Sequence, residues 1–162
     1  MHEPQSQPPP TAKPIRLASP WSRFGAAWLD GLVLKVSEWL LIRWACVEIA
    51  DALALDSSEE FVALAVFAAV SLYTLYYGLQ LTSGMRGTFS QHLSNFEARD
   101  DRTGRPLTVG QAFGWAFLQA MLMPFELVGA FLLLLCYLPI LSKPRHQSVF
   151  DRICGVMWVR KG

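Results

Sequence analysis

Charged residues are scarce in this sequence. Only 17% of its 162 residues are Asp, Glu, Lys or Arg, whereas 52% are hydrophobic and 12% are aromatic. A water-soluble domain usually carries roughly 25% charged residues, because its surface must be covered by polar groups. The deficit indicates that lipid forms part of the solvent around this chain. The net charge of +1 also argues against a nucleic-acid-binding protein, since such proteins carry a clear positive excess.

Cysteines and catalytic motifs are also scarce. The three cysteines, Cys46, Cys136 and Cys154, are spaced too widely for a disulfide framework or a zinc site. The three histidines show no ligand-like spacing with one another or with the cysteines. No nucleophile elbow, phosphate-binding glycine loop or HExxH motif occurs. The sequence therefore predicts no enzyme activity, no metal and no cofactor.

Proline is concentrated at the start of the chain, where residues 1–20 contain six of the ten prolines. Such a segment buries too little apolar surface to offset the entropy that it would lose on ordering. We predict a disordered, Pro-rich cytoplasmic tail over residues 1–17. The remainder, residues 18–160, is predicted to form one membrane domain.

Two long hydrophobic runs follow the tail, at residues 24–44 and 61–81. A helix of about 21 residues extends roughly 31 Å, which is enough to cross the hydrocarbon core of a bilayer. The second run contains no charged residue, whereas the first contains Asp30, Lys35 and Glu38. Both runs are predicted to be transmembrane helices of a small, all-α, polytopic helical bundle.

A third apolar stretch, residues 112–141, has Pro124 near its middle. Because proline removes a backbone donor and clashes with the preceding turn, we predict two helices there, at 112–122 and 126–141. One interpretation is a re-entrant or helical hairpin of two half-length helices. The alternative is a single long, tilted, Pro-kinked helix that crosses the bilayer once.

The distribution of basic residues predicts the orientation. Residues 82–111 contain four arginines and both tails are basic, whereas residues 45–60 contain five acidic residues and no basic one. Since Lys and Arg accumulate on the cytoplasmic side, both termini and the 82–111 loop are predicted to be cytoplasmic. An even number of crossings then favours the hairpin in the third stretch. Within the loop, Asn95–Arg99 and Arg105–Val109 are predicted to pair as a short β-hairpin.

Three charged residues near or within the predicted helices are candidates for function. Arg23 and Asp30 are seven positions apart, so they point to nearly the same side of a helix and lie about 10 Å apart along its axis. A carboxylate at that depth is costly, so Asp30 is expected to be paired, protonated or bound to a cation. Glu126 is a second intramembrane carboxylate, and together with Asp30 it would suffice for a proton or sodium site.

A stripe of small residues marks one face of the second predicted helix. Ser71, Thr74 and Gly78 recur at helical spacing, and small side chains let a neighbouring helix approach closely. We interpret the stripe as a packing surface.

Four segments together resemble one protein family. They are the run ASPWSRFGAAWLD at 18–30, GTFSQ at 87–91, TGRPLT at 103–108 and RHQSVFDRICG at 145–155. In this order they are similar to the RDD family of bacterial membrane proteins, which is named for one arginine and two aspartates. The resemblance assigns these roles to Arg23, Asp30 and Asp151.

Two positions depart from the family pattern, and one contact is implied by it. Ser90 and Gln91 stand where the family usually has Gly-Lys, and no arginine occurs near Phe113–Ala116. A site that depends on those positive charges would be weakened here. If Asp151 meets Arg23, a buried ion pair would join the two ends of the domain at the cytoplasmic face of the membrane.

Two functions are consistent with these observations. The first is a non-catalytic membrane module, for assembly or as a scaffold or accessory protein, whose Arg and Asp contacts hold the bundle together. The alternative, implied by the resemblance, is an oligomeric transporter or cation/proton exchanger that uses Asp30. Either protein would be a multi-pass protein of the bacterial inner membrane, surrounded by lipid and forming a homo-oligomer or part of a larger membrane complex.

Overall fold

A computed structural model describes residues 16–37, 39, 47–49, 51, 58–122, 125–141 and 146–161. These residues are mostly helical and include one small two-stranded sheet, so the predicted helical class is confirmed. The elements, in chain order, are α1 (Pro20–Ser37), α2 (Ser58–Thr82), α3 (Phe89–Leu93), β1 (Phe96–Asp100), α4 (Val109–Ala120), α5 (Glu126–Tyr137), a 3₁₀ turn (Leu138–Leu141), α6 (Val149–Cys154) and β2 (Val156–Arg160).

Helix α1 buries one narrow stripe of side chains. It begins at Pro20, a residue that suits the first turn of a helix because that turn has no acceptor for its N–H. The buried residues recur every three or four positions: Arg23, Ala26, Asp30 and Leu34. Most large apolar side chains of the helix are exposed, including Trp21 at 78% and Trp28 at 65%. The predicted end of this helix, at residue 44, lies outside the described residues.

Helix α2 has the length and composition of a membrane span. Among the described residues, the segment Glu59–Thr82 alone is long and apolar enough to cross a bilayer. Several of its apolar side chains are exposed, for example Phe67 at 71% and Leu79 at 58%. An apolar helix whose surface remains open in this way is suited to contact with lipid.

Helices α4 and α5 are both too short to cross a membrane alone. Each has 12 residues, which corresponds to roughly 18 Å against a hydrocarbon core of about 30 Å. A capping box begins α4, because the Thr108 hydroxyl accepts the backbone N–H of Gln111. The two helices correspond to those predicted from the third apolar stretch. Pro124, the predicted breaking point, lies outside the described residues.

Strand β1 was predicted, but its predicted partner was wrong. It pairs antiparallel with β2, in a register that places Phe96 opposite Arg160 and Asp100 opposite Val156. The segment Arg105–Val109 leads into α4 instead. It is unsuited to a strand because Pro106 has no N–H to donate and because Thr108 caps the helix.

Asp100 closes the turn that follows β1. Its Oδ1 accepts the backbone N–H of Thr103 at 2.7 Å, and its Oδ2 accepts from Gln111 Nε2 at 2.5 Å. These hydrogen bonds, the one from Gln111 first, lower the pKa of Asp100 to about 2. The turn is thereby tied to the first turn of α4.

A row of aromatic rings forms the centre of the core. The ring centroids of Tyr77 and Trp115 are 5.8 Å apart, and those of Trp115 and Trp158 are 5.6 Å apart. The row therefore connects α2, α4 and β2. Ala18, two residues before α1, joins the same core, since its N–H donates to the carbonyl of Trp158 at 3.0 Å. Both ends of the domain thus meet at one end of the bundle.

Helices α2 and α4 approach each other at the glycine of the small-residue stripe. A Cβ atom added to Gly78 would lie 2.8 Å from the ring of Phe113. Closer to the N-terminus of α2 than Gly78, Ser71 and Thr74 line an apolar groove with Phe113 and Phe117. Gly78 therefore packs as the stripe predicts, while the other two members of the stripe face the groove.

Candidate functional site

The carboxylate of Asp151 is positioned by the first turn of α6. Ser148 caps this helix, and Asp151 is its third residue. The Ser148 N–H donates to Asp151 Oδ2 at 2.8 Å, while the Asp151 N–H donates to the Ser148 hydroxyl at 3.1 Å. This reciprocal capping box fixes both the start of the helix and the orientation of the carboxylate.

Asp151 forms a buried ion pair with Arg23. Arg23 Nη2 lies 2.7 Å from Asp151 Oδ2, and the side chains of Arg23 and Asp151 are 6% and 0% exposed. The other carboxylate oxygen, Oδ1, accepts the indole N–H groups of Trp115 at 2.8 Å and Trp158 at 3.0 Å. The carboxylate therefore has four donors, as a buried charge requires if it is to offset its loss of hydration.

Arg23 makes two further contacts besides the ion pair. Its Nη1 donates to the carbonyl of His146, and its guanidinium carbon lies 5.5 Å from the ring centroid of Trp158, in a cation–π contact. We call this group the Arg–Asp clasp; its members are Arg23, Trp115, Ser148, Asp151 and Trp158. It joins α1, α4, α6 and β2.

Asp30 lies at the centre of a second buried group. It is fully buried, accepts the Thr88 hydroxyl at Oδ2, and has the Tyr76 hydroxyl 3.4 Å from Oδ1. Ser90, which is also buried, lies beside the same carboxylate. We call Asp30, Tyr76, Thr88 and Ser90 the Asp30 cluster. Because these residues belong to α1, α2 and the start of α3, the cluster connects three helices.

Ser90 and Gln91, which stand in place of the family's usual Gly-Lys, have defined places in the fold. Ser90 belongs to the Asp30 cluster. Gln91 is buried and its Oε1 accepts the Thr88 N–H at 2.8 Å, which completes the capping box of α3. Both residues are thus buried, and the neutral Gln91 cap stands where the family usually has a lysine.

The predicted site residues do not all come together. Arg23 and Asp151 are in direct contact, whereas Asp30 belongs to the separate cluster. The side chain of Glu126, the second candidate carboxylate, lies outside the described residues. Sequence reasoning missed the two tryptophan donors, but the capping boxes were readable as Thr-x-x-Gln at 88–91 and Ser-x-x-Asp at 148–151.

The described residues offer little reactive chemistry. They contain no group of three or more His, Cys, Asp or Glu side chains that could hold a metal ion. Burial raises the pKa of the Cys154 thiol, and the nearby Asp151 carboxylate adds to the shift. This thiol is therefore protonated at neutral pH and a poor nucleophile.

An exposed apolar span and charges paired inside the bundle define a helical, membrane-associated protein. The model of the RDD family matches residues 17–155. Because this match covers most of the chain, including Arg23, Asp30 and Asp151, the protein belongs to the RDD family. No curated protein and no solved structure matches the chain.

Proposed function

We propose that this protein is a non-catalytic module of the bacterial inner membrane, which serves assembly or acts as a scaffold or accessory protein. The observation that carries the proposal is that the buried family residues are bound by groups of the chain itself. Arg23 and Asp151 bind each other, and Asp30 of α1 is bound by hydroxyl groups of α2 and of the start of α3. These interactions hold helices together and need no substrate.

The energetics of burial support a structural role. An ion pair removed from water stabilises a protein only if its geometry is good and the remaining hydrogen-bonding groups are satisfied. Asp151 meets that condition through its four donors. A site that binds a substrate or transfers protons would instead be expected to leave some of these positions open to a ligand.

The same contacts support a multi-pass topology with the N-terminus in the cytoplasm. The clasp requires the start of α1 and the start of α6 to lie at one end of the bundle. With α1 and α2 crossing in opposite directions, α4 and α5 form a hairpin that enters and leaves on the cytoplasmic side. Their length of 12 residues each suits such a re-entrant hairpin better than a full crossing.

Thiol labelling in intact cells tests this topology. In a variant with all three cysteines replaced by serine, we expect Thr103→Cys to react with a membrane-impermeant maleimide only after the cells are permeabilised. Asp51→Cys, on the acidic loop, is the matched exposed control and should react in intact cells. Labelling of Thr103→Cys from outside would contradict the topology. Native Cys154 is a poorer reporter, because it is partly buried and its pKa is raised.

A transport function is the second candidate, and the Asp30 cluster is the observation that favours it. A buried carboxylate surrounded by hydroxyl groups has the oxygen ligands that Na⁺ or a proton relay would use. A chain this small would need several copies, or a larger complex, to line a pathway. The structural role is favoured because the hydroxyl groups of Tyr76 and Thr88 already donate hydrogen bonds to the Asp30 carboxylate.

Flux measurements distinguish the two functions. In proteoliposomes with an imposed proton or sodium gradient, we expect the wild-type protein to conduct no faster than empty vesicles, and Asp30→Asn to behave in the same way. Asp51→Asn, at an exposed position, is the matched control. Wild-type flux that disappears in a folded Asp30→Asn variant, while Asp51→Asn conducts normally, would favour transport. The mass of the detergent-solubilised protein would show whether it forms a homo-oligomer.

A further inference from the structure

We infer that helix α3 lies in the cytoplasmic leaflet of the membrane, with Phe89 and Leu93 inserted among the lipids. The inference rests on the proposed topology and adds a lipid-binding surface to it. Phe89 and Leu93 are 58% and 65% exposed, whereas Ser90 and Gln91, on the opposite side of the helix, are buried. Residues four positions apart share a helix face, so the two large apolar side chains form one exposed face.

The depth of α3 in the bundle places this face at the level of lipid. Its capping residue, Thr88, donates to Asp30, which lies seven residues, or about 10 Å, farther along α1 than Arg23. The start of α3 is therefore deeper than the Arg–Asp clasp. At an intermediate level, α1 exposes Trp28 at 65%, an aromatic residue typical of the membrane interface.

The apolar face of α3 also continues the lipid-facing surface of α2. The Phe89 N–H donates to Gln80 Oε1 at 2.7 Å, so Phe89 lies directly beside the last turns of the membrane span. Leu79, the neighbour of Gln80, is 58% exposed. The exposed apolar surface therefore continues from α2 onto α3, as is expected if lipid covers both helices.

Basic groups border this face, which favours lipid over a protein partner. Lys161 Nζ lies 2.7 Å from His92 Nδ1 and 3.3 Å from the carbonyl of Met85. The side chain of Arg86 is 41% exposed and 3.8 Å from Glu97. Cationic groups beside an exposed apolar helix face suit the anionic headgroups of a cytoplasmic leaflet.

Spin-label accessibility tests the inference on the full chain. Leu93→Cys and Phe89→Cys are labelled in the cysteine-free variant and reconstituted in vesicles of phosphatidylcholine and phosphatidylglycerol. We expect collisions with oxygen, which concentrates in lipid, to exceed those with a water-soluble nickel chelate at both positions. Leu79→Cys is the lipid-facing control, and Thr103→Cys is the water-exposed control.

Two results would overturn the inference. Labels at positions 89 and 93 that collide with the nickel chelate as often as the label at 103 would place α3 in water. Labels that are immobile and shielded from both reagents would indicate a protein contact. Because the labels at 79 and 103 report independently on insertion, α3 can fail this test while the proposed topology stands. Using both positions keeps the test decisive if one variant does not fold.

Discussion

Replacing Arg23 with alanine is expected to lower the free energy of unfolding by about 3–5 kcal/mol, the usual cost of breaking a buried ion pair by removing one partner. The variant leaves the Asp151 carboxylate, which is fully buried, without its countercharge. It also removes the donor to the His146 carbonyl and the cation–π contact with Trp158. Unfolding of the detergent-solubilised protein by heat or denaturant measures the change.

Matched variants separate this ion pair from a general effect of losing charge. Arg102→Ala removes an arginine from an exposed turn and should change stability by no more than about 0.5 kcal/mol. Arg23→Lys should be intermediate, because an ammonium group cannot reproduce the planar, forked donor geometry. In a double-mutant cycle with Asp151→Asn, the stability lost by the double variant should be smaller than the sum of the losses in the two single variants. An Arg23→Ala variant as stable as Arg102→Ala would contradict the importance of the clasp.

The clasp shows which parts of the site were predictable from sequence. Family resemblance identified Arg23 and Asp151, and the Ser-x-x-Asp spacing of a capping box was present in the sequence. No sequence motif identifies Trp115 and Trp158 as donors to Asp151. Trp115 is 36 positions from Asp151, so its contact depends on how α4 packs beside α6. Tertiary contacts of this kind leave no periodic pattern in the sequence.

The sheet was mispredicted for a related reason. The turn residues after Asp100 are typical of a hairpin, and Phe96–Asp100 does form a strand. Its partner, however, is Val156–Arg160, which is separated from it by three helices in the chain. Local turn chemistry predicts that a chain reverses, but it does not identify which strand will lie beside it. Here the residues after the turn lead into α4, whose first turn is capped by Thr108.

Two of the long apolar runs gave the helices that were predicted for them, because such helices depend mainly on length and composition. The charge-free run at 61–81 became the core of α2, and the third apolar stretch became two half-length helices. The buried polar partners of Asp30 were not foreseen. Thr88 and Ser90 lie at the start of α3, and only the packing of α3 against α1 brings them to the carboxylate. A carboxylate within an apolar run therefore predicted that Asp30 is paired, protonated or bound to a cation, without identifying the neighbouring groups.

The close approach of α2 and α4 gives the second large expected effect. Gly78→Val should lower the free energy of unfolding by about 1–3 kcal/mol, the typical cost of inserting atoms into a packed interior. Even the first added carbon would lie 2.8 Å from the ring of Phe113, so one helix must move or the ring must leave its position. Thermal unfolding in detergent would measure the loss.

The appropriate control for Gly78→Val is the same substitution at Gly31. Gly31 is also helical, but a Cβ atom there meets nothing within 4 Å. Since valine and glycine differ in helix propensity by the same amount at both sites, the difference between the two variants isolates the clash. Gly31→Val should be nearly neutral, and Phe113→Ala should recover part of the stability lost in Gly78→Val. Equal losses at positions 78 and 31 would show that the small-residue stripe does not set the distance between these helices.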